Sequence, residues 1–288
     1  MKLIASDLDG TLLNERGAVS EKNAAAIKKA LEHGHHFVAA TGRSWDAASK
    51  PLQAVGINCP IISLNGAALY DEQGNVLESI EMKREVAERV LSVCREGDMY
   101  LEFFTNRGIF SESREYFLEV LVDIMQSANP DLTAEEIREY AHLRFQYEPV
   151  EFIDDYSEIF AIADLEIYKI LGFSANPDVL SDVRQVLEEE TALTITSSGD
   201  INLEFNDPKA QKGIALQKLA ERLDIPMQNV VAVGDNWNDV SMLKTAGLGV
   251  AMGNAADGIK EIADEVTTSN NEDGVARVIE KVLDMGDQ

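Results

Sequence analysis

The 288-residue chain is long enough for one large domain or two modest ones, and with 45% apolar residues it can bury a core in each. No apolar run reaches the roughly 18 residues of a membrane helix, the start lacks a signal-peptide pattern, and Cys59 and Cys94 form no CxxC pair, so a soluble, cytoplasmic protein without disulfide framework or thiolate metal site is expected. Against 51 Asp and Glu stand 25 Lys and Arg, and the net charge of -26 disfavours nucleic acid and membrane as partners, so a site for a small anion needs its own cations or a bound metal.

Leu3 to Ser6 reads as a buried strand that runs into Asp7 and Asp9. Ser20 is a fitting N-cap, Ala24, Ile27 and Leu31 form an apolar stripe, and Gly34 is a stop, which predicts a helix over 21–33. A strand "HFVAAT", a helix near 44–54, a strand "PIISL" at 60–64 and a hairpin "GAALYDEQGNVLES" turning near Gln73 to Asn75 follow. From 83 to 206 the texture changes. A helix over 84–96, with Val86, Val90 and Val93 at helical spacing, accompanies strands "MYLEFF", "EIYKILGF", "LTITSS" and "INLEF" without regular crossovers. The alternation then resumes with a helix over 212–223, a strand "NVVAVG", a helix over 237–245 and the short pieces "LGVAM" and "EVTT". The fold class expected is α/β, a mostly parallel sheet with crossover helices, interrupted by an inserted α+β unit. Residues 1–82 and 207–288 would form the core and 83–206 the insertion.

In an open α/β sheet the ligand crevice lies beyond the carboxyl ends of the strands, and polar groups recur there. Asp7 follows the first strand, Thr41, Gly42 and Arg43 the second, Asn65 and Gly66 the third, and Asp235 and Asp239 follow "VVAV". A lone Asp-Gly is ordinary turn punctuation, but turn statistics do not account for four strands ending this way. Asp235 and Asp239, four apart at a helix start, can face one side, although either alone could simply match the helix dipole. Lys212 opens another helix, where a cation is better explained by an anion to bind. Carboxylates for a hard divalent cation, with a lysine and helix-end amides for a phosphoryl group, point to phosphoryl transfer through a carboxylate nucleophile, with magnesium favoured by the all-oxygen donor set.

"DLDGT", "TGR", "QKG" and "GDNWND", in this order, resemble the four motifs of the haloacid dehalogenase superfamily. The long insertion between the second and third motifs, together with "SLNGA", "ILGF" and "GVAMGNAADGIKEIADEVT", resembles its Cof-type subfamily, whose members carry a large α/β cap there. The resemblance implies a Rossmann-like core and a Mg2+-dependent phosphatase of small phosphorylated metabolites, sugar phosphates or similar phosphomonoesters. It implies Asp7 as the nucleophile forming an aspartyl-phosphate and as a metal ligand, and Asp9 as general acid and base with its backbone carbonyl on the metal. Thr41, Gly42, Lys212 and Asn238 would bind phosphate, Asp235 would complete the metal site, and Asp239 would join it or orient Lys212. Gly10, Arg43, Asn65 and Gly66 would line the substrate pocket. The cap would select substrates and keep macromolecules out.

Other features have plainer readings. "HGHH" at 33–36 lies at a helix end, where cationic side chains are ordinary. Trp45 and Trp237 read as packing residues, although Trp237 could wall the pocket, and "EEE" at 188–190 as a solvated helix end. Glu102 and Lys169, on strands of the insertion, are weaker candidates for substrate contact. A phosphomutase would use the same nucleophile but require a bisphosphate. A non-catalytic phospho-receiver would share the aspartates and lysine, yet would need neither the insertion nor Asp9. Oligomeric state is open.

Overall fold

In the computed structural model, which describes residues 1–112, 149–189, 193–197 and 201–286 together with residues 118, 122, 133 and 135, strand β1 (Leu3–Ser6) lies near the middle of an eight-stranded sheet. β1 pairs in parallel with β2 (His36–Ala40) on one side and β12 (Val230–Gly234) on the other. Beyond β12 lie β13 (Leu248–Ala251) and β14 (Glu265–Val266), also parallel. Beyond β2 come parallel β3 (Ile61–Ser63) and then antiparallel β4 (Ala68–Tyr70) and β5 (Val76–Ser79). The central strands are apolar on both faces because both faces are covered. Ile4, Phe37 and Val231 meet α1 (Glu21–Glu32), α2 (Trp45–Gln53) and α9 (Gly274–Gly286). Leu3, Val38 and Val230 meet α6 (Lys212–Arg222), α7 (Val240–Thr245) and α8 (Asp257–Ile262).

The chain divides into two compact units, Met1–Ser79 with Lys209–Gln288, and Ile80–Pro208. The second holds a six-stranded sheet in the order β10 (Thr194–Thr196), β11 (Asn202–Asn206), β9 (Ile167–Phe173), β6 (Tyr100–Thr105), β7 (Gly108–Ser111) and β8 (Val150–Phe152). Helices α3 (Arg84–Glu96), α4 (Ser157–Ala161) and α5 (Pro177–Glu188) pack on it through Val90, Ile159, Val183 and Leu187 against Leu101, Phe103, Ile170 and Phe205. The units part at 79/80 and 208/209, against 82/83 and 206/207 read from texture. Met82 already belongs to the second unit's core, its N–H donating to the carbonyl of Ile167 at 2.7 Å.

Three local readings are corrected. Leu31 is exposed, and Ala30 completes the buried stripe of α1 with Ala24 and Ile27. Strand β3 stops at Ser63, because Leu64 and Asn65 take left-handed φ of 51° and 60° and turn the chain away from the sheet. The helix expected over 237–245 begins as a tight turn, Trp237–Asp239, and becomes α-helical only from Val240. Ser198, the last residue of "LTITSS", and Glu190 lie outside the described residues.

Candidate active site

The site is built at the carboxyl ends of β1 and β12, where strand order reverses on either side of β1. The Asp7 N–H continues the ladder, donating to the carbonyl of Val233 at 3.0 Å, so the backbone of the nucleophile candidate is fixed by the neighbouring strand. The chain then makes one wide turn, with Leu12 N–H donating to the Asp7 carbonyl and Leu13 N–H to that of Leu8. Gly10 sits in this turn at φ +71°, and a Cβ there would lie 2.3 Å from Asp235 Oδ2. Only glycine permits both the conformation and the approach. Thr11, wholly buried, donates from Oγ1 to Asp235 Oδ1 at 2.8 Å, tying the turn after β1 to the loop after β12.

Lys212, the first residue of α6, has no exposed surface, and its Nζ donates to Asp7 Oδ1 at 2.8 Å and Asp239 Oδ1 at 2.7 Å. The other oxygen of Asp239 accepts from the backbone N–H groups of Asp235 and Asn236 at 2.9 and 3.0 Å. Asp239 therefore closes its own loop and holds Lys212 against Asp7. Among the described residues, Asp7, Asp235 and Asp239 can share a metal ion, one oxygen of each lying within 4.8 Å of the others. Burial first, and then the charge of Asp239, raises the Asp7 carboxyl well above the usual range, with Lys212 opposing. Burial and Asp239 likewise push Asp235 up to about 6 against the bond from Thr11. Burial alone would lower Lys212, but Asp239 and Asp7 outweigh it and raise the ammonium. One buried ammonium thus bonds two of three clustered carboxylates, which leaves an excess of negative charge at the strand ends.

Asp9 is placed differently. Its side chain is 60% exposed, and both oxygens accept from Arg43, Oδ2 from Nε at 2.8 Å and Oδ1 from Nη2 at 2.5 Å. Arg43, expected at the substrate, thus sits on the candidate acid and base. Thr41 is buried after β2, its Oγ1 accepting from Arg43 N–H at 3.1 Å, with Gly42 between them. Asn65 follows β3, donates its N–H to the Thr41 carbonyl at 3.0 Å and accepts from Asn238 Nδ2 at 3.3 Å. Asn238 Oδ1 is buried without a hydrogen-bond partner among the described residues. Gly66, at φ +100°, is where the β3 loop meets the start of α6, since a Cβ would fall 2.5 Å from the Gln211 carbonyl oxygen.

The structure therefore gathers Asp7, Asp235, Asp239 and Lys212 through side chains, and pairs Asp9 with Arg43 outside the three-acid group. Sequence reasoning gave no role to Thr11, although it stands inside "DLDGT", nor to Asn254, whose Nδ2 donates to the Gly10 carbonyl at 2.8 Å. Trp237 is exposed with its ring against Gly258, and Trp45 packs 6.1 Å from the ring of Tyr70. His33 and His35 bond through Nδ1 to the Lys29 carbonyl and the Lys2 N–H. In the second unit Glu102 accepts from Tyr100 Oη, and Lys169 pairs with Glu204 at 3.0 Å, all buried.

A family model for haloacid dehalogenase-like hydrolases matches residues 4–279. The chain is 39% identical to the phosphatase YwpJ of Bacillus subtilis, over 98% of this chain and all of that one. It is 34% identical to 5-amino-6-(5-phospho-D-ribitylamino)uracil phosphatase YwtE of the same species, over 98% of both. The solved structure of a haloacid dehalogenase-like hydrolase from B. subtilis superposes with a TM-score of 0.87 at 38% identity, covering 97% of this chain and 99% of that one. With three of the four motifs at strand ends of one mostly parallel sheet and a match along nearly its whole length, the chain belongs to the haloacid dehalogenase-like hydrolase family, Cof type, as a phosphoric monoester hydrolase.

Proposed function

We propose that the protein is a magnesium-dependent phosphatase of small phosphorylated metabolites, sugar phosphates or similar phosphomonoesters, acting in the cytoplasm through an aspartyl-phosphate on Asp7. The observation that carries this reading is the Asp7 carboxylate, buried at a strand end and held by the wholly buried Lys212 beside Asp235. The donor set fits a hard divalent cation: all oxygen, with four carboxylates (Asp7, Asp9, Asp235, Asp239) against two cations (Lys212, Arg43) at the site among the described residues. Without added positive charge, that balance repels a phosphate dianion. Asp7 and Asp235 would hold the ion, with Asp239 and the backbone carbonyl of Asp9 beside them. When bound, the ion supplies charge neutralisation for the phosphoryl oxygens.

An Asp7 carboxylate oxygen attacks phosphorus, and the bond to the leaving oxygen breaks as Asp9 gives that oxygen a proton, releasing the alcohol. Water then attacks the aspartyl-phosphate, giving its proton to Asp9, and the acyl–phosphate link breaks at phosphorus to return the Asp7 carboxylate and phosphate. Lys212 steadies Asp7 and the phosphoryl oxygens, while Thr41, Asn238 and the backbone of Gly42 supply donors to the latter. Gly10, Asn65 and Gly66 line the space through backbone and amide groups. Substrate selection is assigned to the inserted unit, Ile80–Pro208. Among the described residues no helix is long and apolar enough to cross a membrane.

Phosphate release should be measured over a panel of phosphomonoesters with magnesium and again in excess chelator. Turnover of several members that stops on chelation is expected. Release undiminished by chelator would remove the metal from the reading, and failure of the whole panel, p-nitrophenyl phosphate included, would remove the activity.

A further inference from the structure

Lys212 and Arg43, the cations bonded to the site's acids among the described residues, are held in different ways. Lys212 is wholly buried between Asp7 and Asp239, and Asp239 is fixed in turn by two backbone N–H groups. Arg43 is half-buried and grips a carboxylate that is mostly exposed. Its backbone is anchored on both sides, the N–H donating to Thr41 Oγ1 at 3.1 Å and the carbonyl accepting from Leu64 N–H at 3.0 Å. The loop therefore keeps its place whichever acceptor the guanidinium faces. In the arrangement seen, each Asp9 oxygen accepts from the guanidinium. A carboxyl group that exchanges a proton with a leaving oxygen must instead turn one oxygen toward it. In the observed pairing neither oxygen of Asp9 is turned away from Arg43.

We propose that Arg43 is a latch on Asp9 that the substrate releases. Arriving beside the site, the leaving group offers an acceptor, a hydroxyl, a carbonyl or a second anionic group close to the bridging oxygen. The guanidinium transfers to that acceptor, and the Asp9 oxygen it frees takes a proton from solvent, which Asp9 then gives to the leaving oxygen. A partly exposed ion pair is weak enough for such an exchange, whereas removing a partner from a buried bridge such as that of Lys212 is strongly unfavourable. The planar fork of arginine suits a pair of neighbouring oxygens better than a single one, which selects polyol and sugar phosphates, or phosphomonoesters with a nearby carboxylate, over plain alkyl phosphates. Specificity would then reside partly in the core, in the readiness of Asp9 to act.

The proposal rests on the phosphatase reading above, and its test separates the two. Values of kcat/KM for ribitol 5-phosphate and pentyl phosphate, equal in chain length, should be measured with magnesium for the full chain, Arg43→Gln and Arg43→Lys, with melting curves to confirm folding. The unaltered enzyme should prefer ribitol 5-phosphate. In Arg43→Gln that preference should shrink about tenfold or more, because only the polyol substrate loses an acceptor contact with the guanidinium. Arg43→Lys, keeping the charge without the fork, should fall between. Equal slowing of both substrates in both variants would mean that Arg43 is a permanent clamp and would overturn the latch, leaving the phosphatase reading in place. No release by the unaltered enzyme from these or from p-nitrophenyl phosphate would overturn the phosphatase reading, and the latch with it.

Discussion

Replacing Asp235 by Asn should make the metal-free protein more stable at neutral pH, although it removes a metal ligand candidate. The carboxyl is pushed up from 3.8 to about 6, burial being the largest cause and Asp239 the next. That rise corresponds to about 3 kcal/mol by which the ionised form is disfavoured in the folded state. A carboxyl whose folded pKa lies above its unfolded value binds a proton more tightly when folded, so stability falls as pH rises from about 4 to about 6 and the full cost is present above that. Asn carries no such cost, and its amide oxygen can still accept from Thr11 Oγ1, which now bonds Asp235 Oδ1 at 2.8 Å. The stability advantage of Asp235→Asn should therefore be small near pH 4 and reach about 3 kcal/mol at pH 7.5, roughly 6–10 °C in melting temperature. Asp7 beside it is also raised, by burial first and then by the charge of Asp239.

The assay is thermal unfolding followed by far-ultraviolet circular dichroism, in excess chelator, at pH 5 and pH 7.5. Adding magnesium should narrow or reverse the order, since a ligand stabilises only the form that binds it. The reasoning fails if Asp235→Asn is no more stable than the parent at pH 7.5 in chelator, or if its advantage does not shrink at pH 5.

Lys212→Met should cost about 3–5 kcal/mol and abolish phosphate release, because Asp7 and Asp239 would face each other without their buried ammonium; a melting temperature equal to the parent's would count against the bridge. Gly10→Ala should raise the magnesium concentration for half-maximal activity by about tenfold or more, since φ is +71° and the added Cβ would press on Asp235 Oδ2, and an unchanged titration would show that the turn yields freely. Asp9→Asn should release phenolate from an aryl phosphate in a stoichiometric burst and then turn over about 100- to 10,000-fold more slowly, because an aryl group departs without protonation while the intermediate still needs its base. Rapid mixing with mass spectrometry for the phosphoprotein checks this, and equal losses on aryl and alkyl substrates without a burst would deny Asp9 the role.

The strands of the core were legible because they are apolar on both faces, and Leu3–Ser6 coincides with its reading residue for residue. The recurrence of polar residues after four such strands located the site for the same reason: strand ends in one parallel sheet are brought to one edge by the ladder itself. What escaped depends on side chains meeting across the fold. Leu64 has no sequence mark of a left-handed residue, because its conformation is imposed by the bonds of its neighbours, Leu64 N–H to Arg43 and Asn65 N–H to Thr41. The tight turn at Trp237 arises from Asp239 capping the loop with its own carboxylate, which suits a turn better than a first α-helical residue. Thr11 was visible in its motif, but its partner stands 224 residues away. Likewise the Arg43–Asp9 pair joins two loops whose spacing in the chain carries no signal.

That distance points to how one chemistry can accommodate a large insertion. β1 and β12 are hydrogen-bonded neighbours, so Asp7 and Asp235 meet through the ladder, and Asp7 N–H on the Val233 carbonyl is its last rung. The chain leaves for its second unit after Ser79, at the end of β5, which is the edge strand four places from β1. It returns at Lys209, three residues before Lys212 enters the buried bridge. Between departure and return no group of the Asp7–Lys212–Asp239 network is contributed, nor is either member of the Arg43–Asp9 pair. If the insertion selects the substrate, as proposed, its residues can vary while every member of that network stays the same. Under the proposed latch, selection through Arg43 would stay with the core, and the two together would let the enzyme discriminate once by shape and once by the acceptor that frees Asp9.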